Sequence, residues 1–248
     1  MRWNSSASPQ ARFVLTCSVI WVGSLLAFNQ SPAHPTLSPA PSNSTPTPQP
    51  VLVVIDPAHG GSDPGALLTP ESPEKEITLA VARRLRQELS ARGITSQLVR
   101  DGDATVSLDQ RAAIANSAYP LLYVAIHASS LGSGLRVFSA MMPAAGDNRG
   151  PFLNWDAAQG PFLERSKAAQ QQLVTAIQKT RFPVRALMAP LRPLNNLKVS
   201  ALAIEISPTT GDASQVGATG YQQMICSTLA NAIASLVPLS TAKTGTQP

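Results

Sequence analysis

Three short apolar runs constrain the fold of this 248-residue sequence more than any other feature. They lie at residues 51–54, 121–126 and 201–206, and each contains the Val or Ile residues that favour strands. A strand that is apolar along its length is buried on both faces, as parallel strands are when helices cover both sides of a sheet. The runs therefore predict the centre of a parallel sheet.

Helical patterns alternate with these runs. Apolar residues recur every four positions from Ile77 to Leu89, and Gly93 follows as a stop signal. Ser72 is predicted to cap this helix, with Pro73 at its first position. Further strands are predicted at 94–99 and 135–139, and further helices at 107–116, 163–180 and 221–236.

The alternation of strands and helices predicts an α/β fold, with a mostly parallel twisted sheet and helices on both faces. We place it in a single domain at residues 51–240, followed by a flexible tail at 241–248. The strand at 135–139 is expected to pair beside the strand at 121–126. Residues 143–161 have no clear periodicity and are expected to form a long loop.

The amino-terminal segment has the composition of an export signal. Residues 13–28 form an uncharged, mostly apolar run behind Arg2 and Arg12. We interpret residues 1–33 as a signal peptide or an uncleaved signal anchor, which predicts an exported protein in the periplasm or associated with the cell envelope. Residues 34–50 belong to a stretch rich in Pro, Ser and Thr, which predicts an extended linker.

The charge and cysteine content exclude some classes of protein. The formal net charge is +5 and no cluster of Lys and Arg forms a stripe, so we predict no nucleic-acid partner. A weak attraction to anionic polymers is compatible with this charge. Cys226 is the one cysteine after the apolar segment, so the domain cannot form an internal disulfide, and we expect Cys226 to be a small buried apolar residue.

Two histidines follow predicted strands. His59 comes after the first strand and enters a glycine-rich turn, and His127 follows the strand at 121–126. The carboxyl ends of parallel strands meet at one edge of the sheet, so the two imidazoles are expected to lie close together and can ligate zinc. Glu74 is a candidate third ligand, and Glu71 and Glu76 are alternatives because they are close in sequence.

Glu205 stands among apolar residues in the strand at 201–206. A carboxylate is costly to bury without a partner. Near the edge of the sheet it is placed to lie beside a cation or to act as a base whose pKa is raised by apolar surroundings. The alternative is an edge glutamate that faces water.

Four segments together resemble a known family. They are "IDPAHGGSDPGA", "EKEITLAVARRL", "SLDQRAAIANSAYPLLYVAIHAS" and "PLNNLKVSALAIEI". Their order and spacing over residues 51–237 are similar to those of the zinc-dependent N-acetylmuramoyl-L-alanine amidases, which act on peptidoglycan. The resemblance implies that His59, Glu74 and His127 bind Zn²⁺ and that Glu205 is the catalytic residue. Arg111 also matches an arginine of the family, with its role left open.

The sequence departs from that family at several positions. Ala58 replaces the usual glycine before the histidine, and Ser129 replaces a common Asn or Asp. Residues 206–210, "ISPTT", replace the family's usual Gly-Phe-Leu-Ser-Asn after the glutamate. The sequence therefore leaves two rivals to the amidase: a wall-binding module without turnover, and a metal-dependent esterase or deacetylase that acts on other glycans.

Overall fold

The predicted apolar runs form the middle of a six-stranded sheet in the computed structural model, which describes residues 52–142 and 157–237. The strands of this sheet are β1 (Leu52–Pro57), β4 (Thr95–Leu98), β5 (Leu122–Ala128), β6 (Gly134–Ala140), β7 (Val184–Ala189) and β8 (Ala201–Ser207). A short hairpin pairs β2 (Leu67–Thr69) with β3 (Ser72–Pro73). The helices are α1 (Glu74–Ser90), α2 (Leu108–Ala118), α3 (Leu163–Gln178) and α4 (Thr219–Ala234).

The sheet is mostly parallel, as the sequence predicts. Its strand order is β4-β1-β5-β8-β6-β7, and β6 runs antiparallel to β8 while the other neighbouring pairs are parallel. Helices α1, α3 and α4 pack on one face of the sheet. Helix α2 and a short 3₁₀ turn at Leu194–Asn196 pack on the other face. The α/β fold with helices on both faces is thus confirmed, and all described residues belong to one compact unit.

The position of β6 corrects one prediction. The strand predicted at 135–139 pairs with β8 and β7, and not with β5. Strand β8 lies between β5 and β6. Five of its seven residues are apolar, so its burial at the centre of the sheet stabilises the fold more than burial of β6, which carries Arg136, would. Strand β7 was not predicted, since four of its six residues are exposed and it shows no alternation.

The start of α1 corrects another prediction. Ser72 lies in β3, and Pro73 occupies the capping position without a side-chain cap. The first amides of α1 bind carbonyl groups of the preceding loop instead: Glu74 N–H donates to Ala66 O and Lys75 N–H to Pro64 O. At the start of α2, Ser107 and Gln110 form a capping box, in which each side chain accepts a hydrogen bond from the backbone N–H of the other residue.

Several predictions concern residues that the structure does not describe. The apolar run at 13–28, the linker at 34–50, the tail at 241–248 and most of the loop at 143–161 lie outside the described residues. Within the described ranges, no helix combines the length and apolarity needed to cross a membrane. Cys226 is buried with a free thiol, as predicted, and burial raises its pKa to about 12.

Candidate functional site

Three side chains predicted to act together converge at one edge of the sheet. His59 follows β1, Glu74 is the first residue of α1, and His127 lies near the end of β5. One potential ligand atom from each lies within 4.8 Å of the others. His59 Nε2 is 3.1 Å from Glu74 Oε2, and His127 Nδ1 is 3.0 Å from Glu74 Oε1. We call this group the His–Glu–His cluster.

The local fold explains this convergence. Strands β1 and β5 are parallel neighbours, so their carboxyl ends lie side by side. His59 adopts a left-handed conformation with φ 62°, which turns the chain away from the sheet. Gly60 continues the turn where no side chain fits, since a Cβ atom there would lie 2.5 Å from Ala104 O. The chain then returns through the β2–β3 hairpin to place Glu74 between the two imidazoles.

Glu74 is a buried carboxylate with a full set of partners. Its Oε1 accepts the Ala128 N–H at 3.1 Å, and its Oε2 accepts the Ala66 N–H at 3.1 Å. Burial alone would raise its pKa, but hydrogen bonds with His127, His59 and the two amides outweigh burial and hold the pKa far below the usual range. Glu74 is therefore ionised although it is only 5% exposed.

The alternative glutamates lie outside the cluster. Glu71 is exposed at the tip of the β2–β3 hairpin, and Glu76 is exposed on α1. On a helix, residues one or two positions apart face different directions, so Glu76 points away when Glu74 points inward. The structure thus brings Glu74, and neither of its rivals, beside the histidines.

Asp63 orients His59. Its Oδ2 lies 2.8 Å from His59 Nδ1, which leaves Nε2 directed at Glu74. The pKa of His59 is raised, mainly by its hydrogen bond to Glu74 and further by Asp63, while burial opposes the shift. Asp63 was not predicted as part of the site, although it lies four residues after His59 in the turn "GGSDPG".

Two buried arginines bind the backbone carbonyl groups of residues 57–59. Arg111 ion-pairs with Asp56, and its guanidinium also donates to Pro57 O at 2.9 Å and to His59 O at 2.7 Å. Arg100 donates to Pro57 O at 3.0 Å and to Ala58 O at 2.9 Å. The role left open for Arg111 is therefore to position the loop that carries His59.

Beneath this loop, the Tyr123 hydroxyl hydrogen-bonds Asp56, which Arg111 also pairs. Burial raises the pKa of Tyr123 well above its usual value, so the phenol stays protonated and donates to the carboxylate. Ala58, the departure from the family glycine, is accommodated without strain: it is buried and its N–H donates to Ile126 O at 3.0 Å. Asp56, Tyr123 and Arg100 were not identified from the sequence as parts of the site.

Glu205 lies beside the cluster on β8. Its Cα is in register with His127 on β5 and with Arg136 on β6, so the three side chains project from the same face of the sheet. Glu205 ion-pairs with Arg136 and is partly exposed. The expectation of apolar surroundings is therefore wrong, because β6 pairs with β8 and brings Arg136 beside Glu205.

The unusual segment at 206–210 is held in place by hydrogen bonds. The Tyr221 hydroxyl donates to Ser207 O at 2.5 Å. Gln215 Oε1 accepts the N–H groups of Thr209 and Thr210 at 2.7 and 3.3 Å. The departure from the family motif thus forms an ordered turn after Glu205.

The chain is similar in sequence to a known protein family. Residues 53–235 match the sequence profile of the family described as N-acetylmuramoyl-L-alanine amidase. The chain belongs to this amidase family. It is therefore an enzyme, a hydrolase of peptidoglycan, and the resemblance drawn from the four sequence segments is confirmed.

Individual proteins are similar to this chain in sequence or in fold. N-acetylmuramoyl-L-alanine amidase AmiA of Salmonella typhimurium is 26% identical over 217 residues, which cover 74% of this chain and 75% of that protein. AmiA of Escherichia coli is 38% identical over 92 residues, but that match covers only 32% of the relative. Among solved structures, the amidase AmiC2 of Nostoc punctiforme superposes with a TM-score of 0.59 at 23% identity, over 76% of this chain and 97% of that one.

Proposed function

We propose that this protein is an exported, zinc-dependent amidase that cleaves the amide bond between N-acetylmuramic acid and L-alanine in peptidoglycan. The observation that carries the proposal is the His–Glu–His cluster, with its ligand atoms within 4.8 Å of one another, next to Glu205 at the edge of the sheet. The family assignment supplies the substrate class.

The donor atoms of the cluster fit zinc. Two imidazoles and one carboxylate are a set that catalytic zinc sites use, with three protein ligands and one open position. Asp63, hydrogen-bonded to the far nitrogen of His59, is the type of partner that fixes a ligating histidine in orientation. Zinc held by His59, Glu74 and His127 would polarise the scissile carbonyl and lower the pKa of water toward about 7.

Glu205 is the proposed catalytic residue. It lies one strand from His127 but outside the cluster, so its carboxylate remains available to the substrate. In the proposed reaction it accepts a proton from the attacking water and donates one to the leaving amine of L-alanine. Arg136 restrains the Glu205 carboxylate by ion pairing and so limits its rotation.

The rival functions differ in their products, and one assay separates them. Purified peptidoglycan is incubated with the full chain, and new amino groups are identified chemically. The amidase releases L-alanyl amino termini, a deacetylase releases glucosamine-type amines, and a binding module releases neither. Absence of L-alanyl termini with zinc-loaded protein would overturn the proposal.

Export is part of the proposal, since peptidoglycan lies outside the cytoplasmic membrane. It depends on residues 1–33 as signal peptide or anchor and on residues 34–50 as a linker to the catalytic domain at 51–240. Cell fractionation of the full chain and of a chain without residues 1–33 tests this. The full chain is expected in the periplasm or cell envelope and the shortened chain in the cytoplasm.

A further inference from the structure

A row of charged side chains crosses the sheet beside the cluster. Strand pairing places His127, Glu205, Arg136 and Arg185 at one register level on β5, β8, β6 and β7. Residues at the same level of neighbouring strands project from the same face. Arg136 and Arg185 therefore extend the proposed active site toward the β7 edge of the sheet.

The charges in this row do not balance. Arg136 is paired with Glu205, and it also donates to Leu131 O at 3.1 Å. Arg185 is exposed and makes no hydrogen bond or ion pair within the described residues. Like charges at adjacent positions on neighbouring strands repel each other. The Arg185 guanidinium beside Arg136 therefore lowers the stability of the fold, and a bound anion would reduce this repulsion.

The same face also provides an apolar surface for a peptide. Phe138 and Leu187 are paired two residues further along β6 and β7, on the face that carries the two arginines. Phe138 is partly buried and Leu187 is 38% exposed. An extended chain lying across β6 and β7 would contact these side chains while its acidic groups reach the guanidinium groups.

We propose that Arg136 and Arg185 form a carboxylate-binding subsite for the peptide portion of the substrate, with Arg185 as its specificity-determining residue. This inference rests on the proposed amidase function. A guanidinium group presents a fork of N–H donors that matches a carboxylate. The Arg136 guanidinium already forms an ion pair with Glu205, so we assign the substrate carboxylate to Arg185.

The spacing of the strands indicates which carboxylate is bound. Neighbouring strands are about 4.8 Å apart, so the Arg185 backbone lies roughly 10 Å from that of Glu205. An extended peptide advances about 3.4 Å per residue. The subsite would thus bind an acidic group about three residues beyond the cleaved amide. The peptide would run toward β7, leaving the side of β1 and α1 for the glycan.

The test compares two soluble N-acetylmuramoyl peptides that differ only in whether the acidic groups of the peptide are free carboxylates or carboxamides. Kinetic constants are measured for the parent full chain, Arg185→Gln and Arg185→Lys. We expect the parent to show a KM about tenfold or more lower for the free carboxylates, the size of effect typical of a charge-assisted hydrogen bond. Arg185→Gln should lose this preference with little change in kcat, and Arg185→Lys should retain part of it.

Arg165→Gln is the matched control, because Arg165 is also exposed but lies on α3, outside the row. It should keep the parent's preference. If Arg185→Gln distinguishes the two peptides as well as the parent does, or if the parent has no preference, the subsite proposal is wrong. If the parent cleaves neither the two peptides nor purified peptidoglycan, the proposed function itself is wrong. That result is distinguishable from failure of the subsite proposal alone, in which the parent cleaves both peptides but without preference.

Discussion

At the scale of single residues, the site contains two glutamates in different environments. Glu74 lies between two imidazoles and accepts two backbone N–H groups, so each of its oxygens is engaged. Glu205 is engaged by Arg136 alone among the described residues and lies at the side of the cluster. A metal ligand needs a fixed position, which the many partners of Glu74 provide. A general base must exchange protons with water and substrate, which the few partners of Glu205 allow.

The two glutamates are therefore predicted to respond differently to the same substitution. Glu74→Gln removes the ligand charge and should lower the zinc content of the purified full chain. Glu205→Gln should retain zinc and peptidoglycan binding but lower turnover by roughly 10²–10⁴-fold, the usual contribution of general acid–base catalysis. Elemental analysis and hydrolysis of peptidoglycan are measured on the same preparations.

Glu71→Gln is the control for this pair, because Glu71 is exposed on the hairpin outside the cluster and should keep both zinc and activity. Loss of zinc from Glu205→Gln, or cleavage by that variant at the parent rate, would contradict the role assigned to Glu205.

The histidines give a second prediction at this scale. The full chain is expected to bind about one zinc ion, because three protein ligands with one open position are typical of a catalytic site. His59→Ala and His127→Ala should each bind far less, as judged by elemental analysis after dialysis. His34 lies in the predicted linker, so the control variant His34→Ala should bind as much zinc as the parent. Near-stoichiometric zinc in both of the first two variants would exclude the proposed ligand set.

At the scale of elements, the loop between β1 and the hairpin depends on the buried pair of Arg111 and Asp56. Both side chains are at most 5% exposed, and Arg111 also holds the carbonyl groups of Pro57 and His59. Removal of one partner leaves a buried charge without compensation, which is more costly than removal of both.

Arg111→Leu is accordingly predicted to lower the free energy of unfolding by about 3–5 kcal/mol. The double variant Arg111→Leu with Asp56→Leu should be less destabilised than the single variant. Urea unfolding of the two proteins measures the difference. Arg165→Leu, at an exposed site on α3, serves as the control and should unfold close to the parent. A single variant as stable as the parent would show that the pair does not anchor the loop.

Two surface ion pairs join α1 to Asp101, in the segment after β4, and their contribution to stability has a predictable dependence on pH. Hydrogen bonds from Arg83 and Arg86 lower the pKa of Asp101 below its usual value. A carboxyl group with a lowered pKa in the folded protein stabilises it above the usual pKa, and this stabilisation is lost as the pH falls through the lowered pKa.

Asp101→Asn should therefore be less stable than the parent at pH 7, and the difference should shrink as the pH is lowered below about 4. Urea unfolding of both proteins at a series of pH values in low salt measures this difference in stability. Both ion pairs are exposed, so added salt should also reduce the difference in stability. A difference that is independent of pH would mean that the charge of Asp101 does not contribute.

At the scale of the whole molecule, the buried residues of the described ranges begin at Val53 and continue to Leu236. They form two apolar clusters, one on each face of the sheet. Apart from Leu236, these buried residues lie within residues 53–235, which match the amidase family.

Deletion of residues 1–50 is therefore predicted to leave stability and activity unchanged. That segment has no amphipathic or alternating pattern that would add to a core. The shortened and longer chains should unfold cooperatively with midpoints that agree closely in a thermal or urea titration. A large loss of stability in the shortened chain would show that the amino-terminal segment packs on the domain.

The sequence by itself determined the class of fold and the cluster at its edge. Continuous apolar runs need two covered faces, so they predict a parallel sheet. Parallel strands place the residues at their carboxyl ends, here His59 and His127, at one edge. The choice of Glu74 over Glu71 and Glu76 came from the family resemblance, because periodicity does not show which of three nearby carboxylates turns inward.

Only the tertiary structure decided which strands are neighbours. Strand order depends on the total area that each strand buries and on crossovers that span many residues, and neither can be read from a local pattern. The insertion of β8 between β5 and β6 sets Glu205 between His127 and Arg136, and the pairing of β6 with β7 adds Arg185 to the same row. The charges beside the proposed catalytic glutamate follow from that order, because residues far apart in sequence become adjacent when their strands pair.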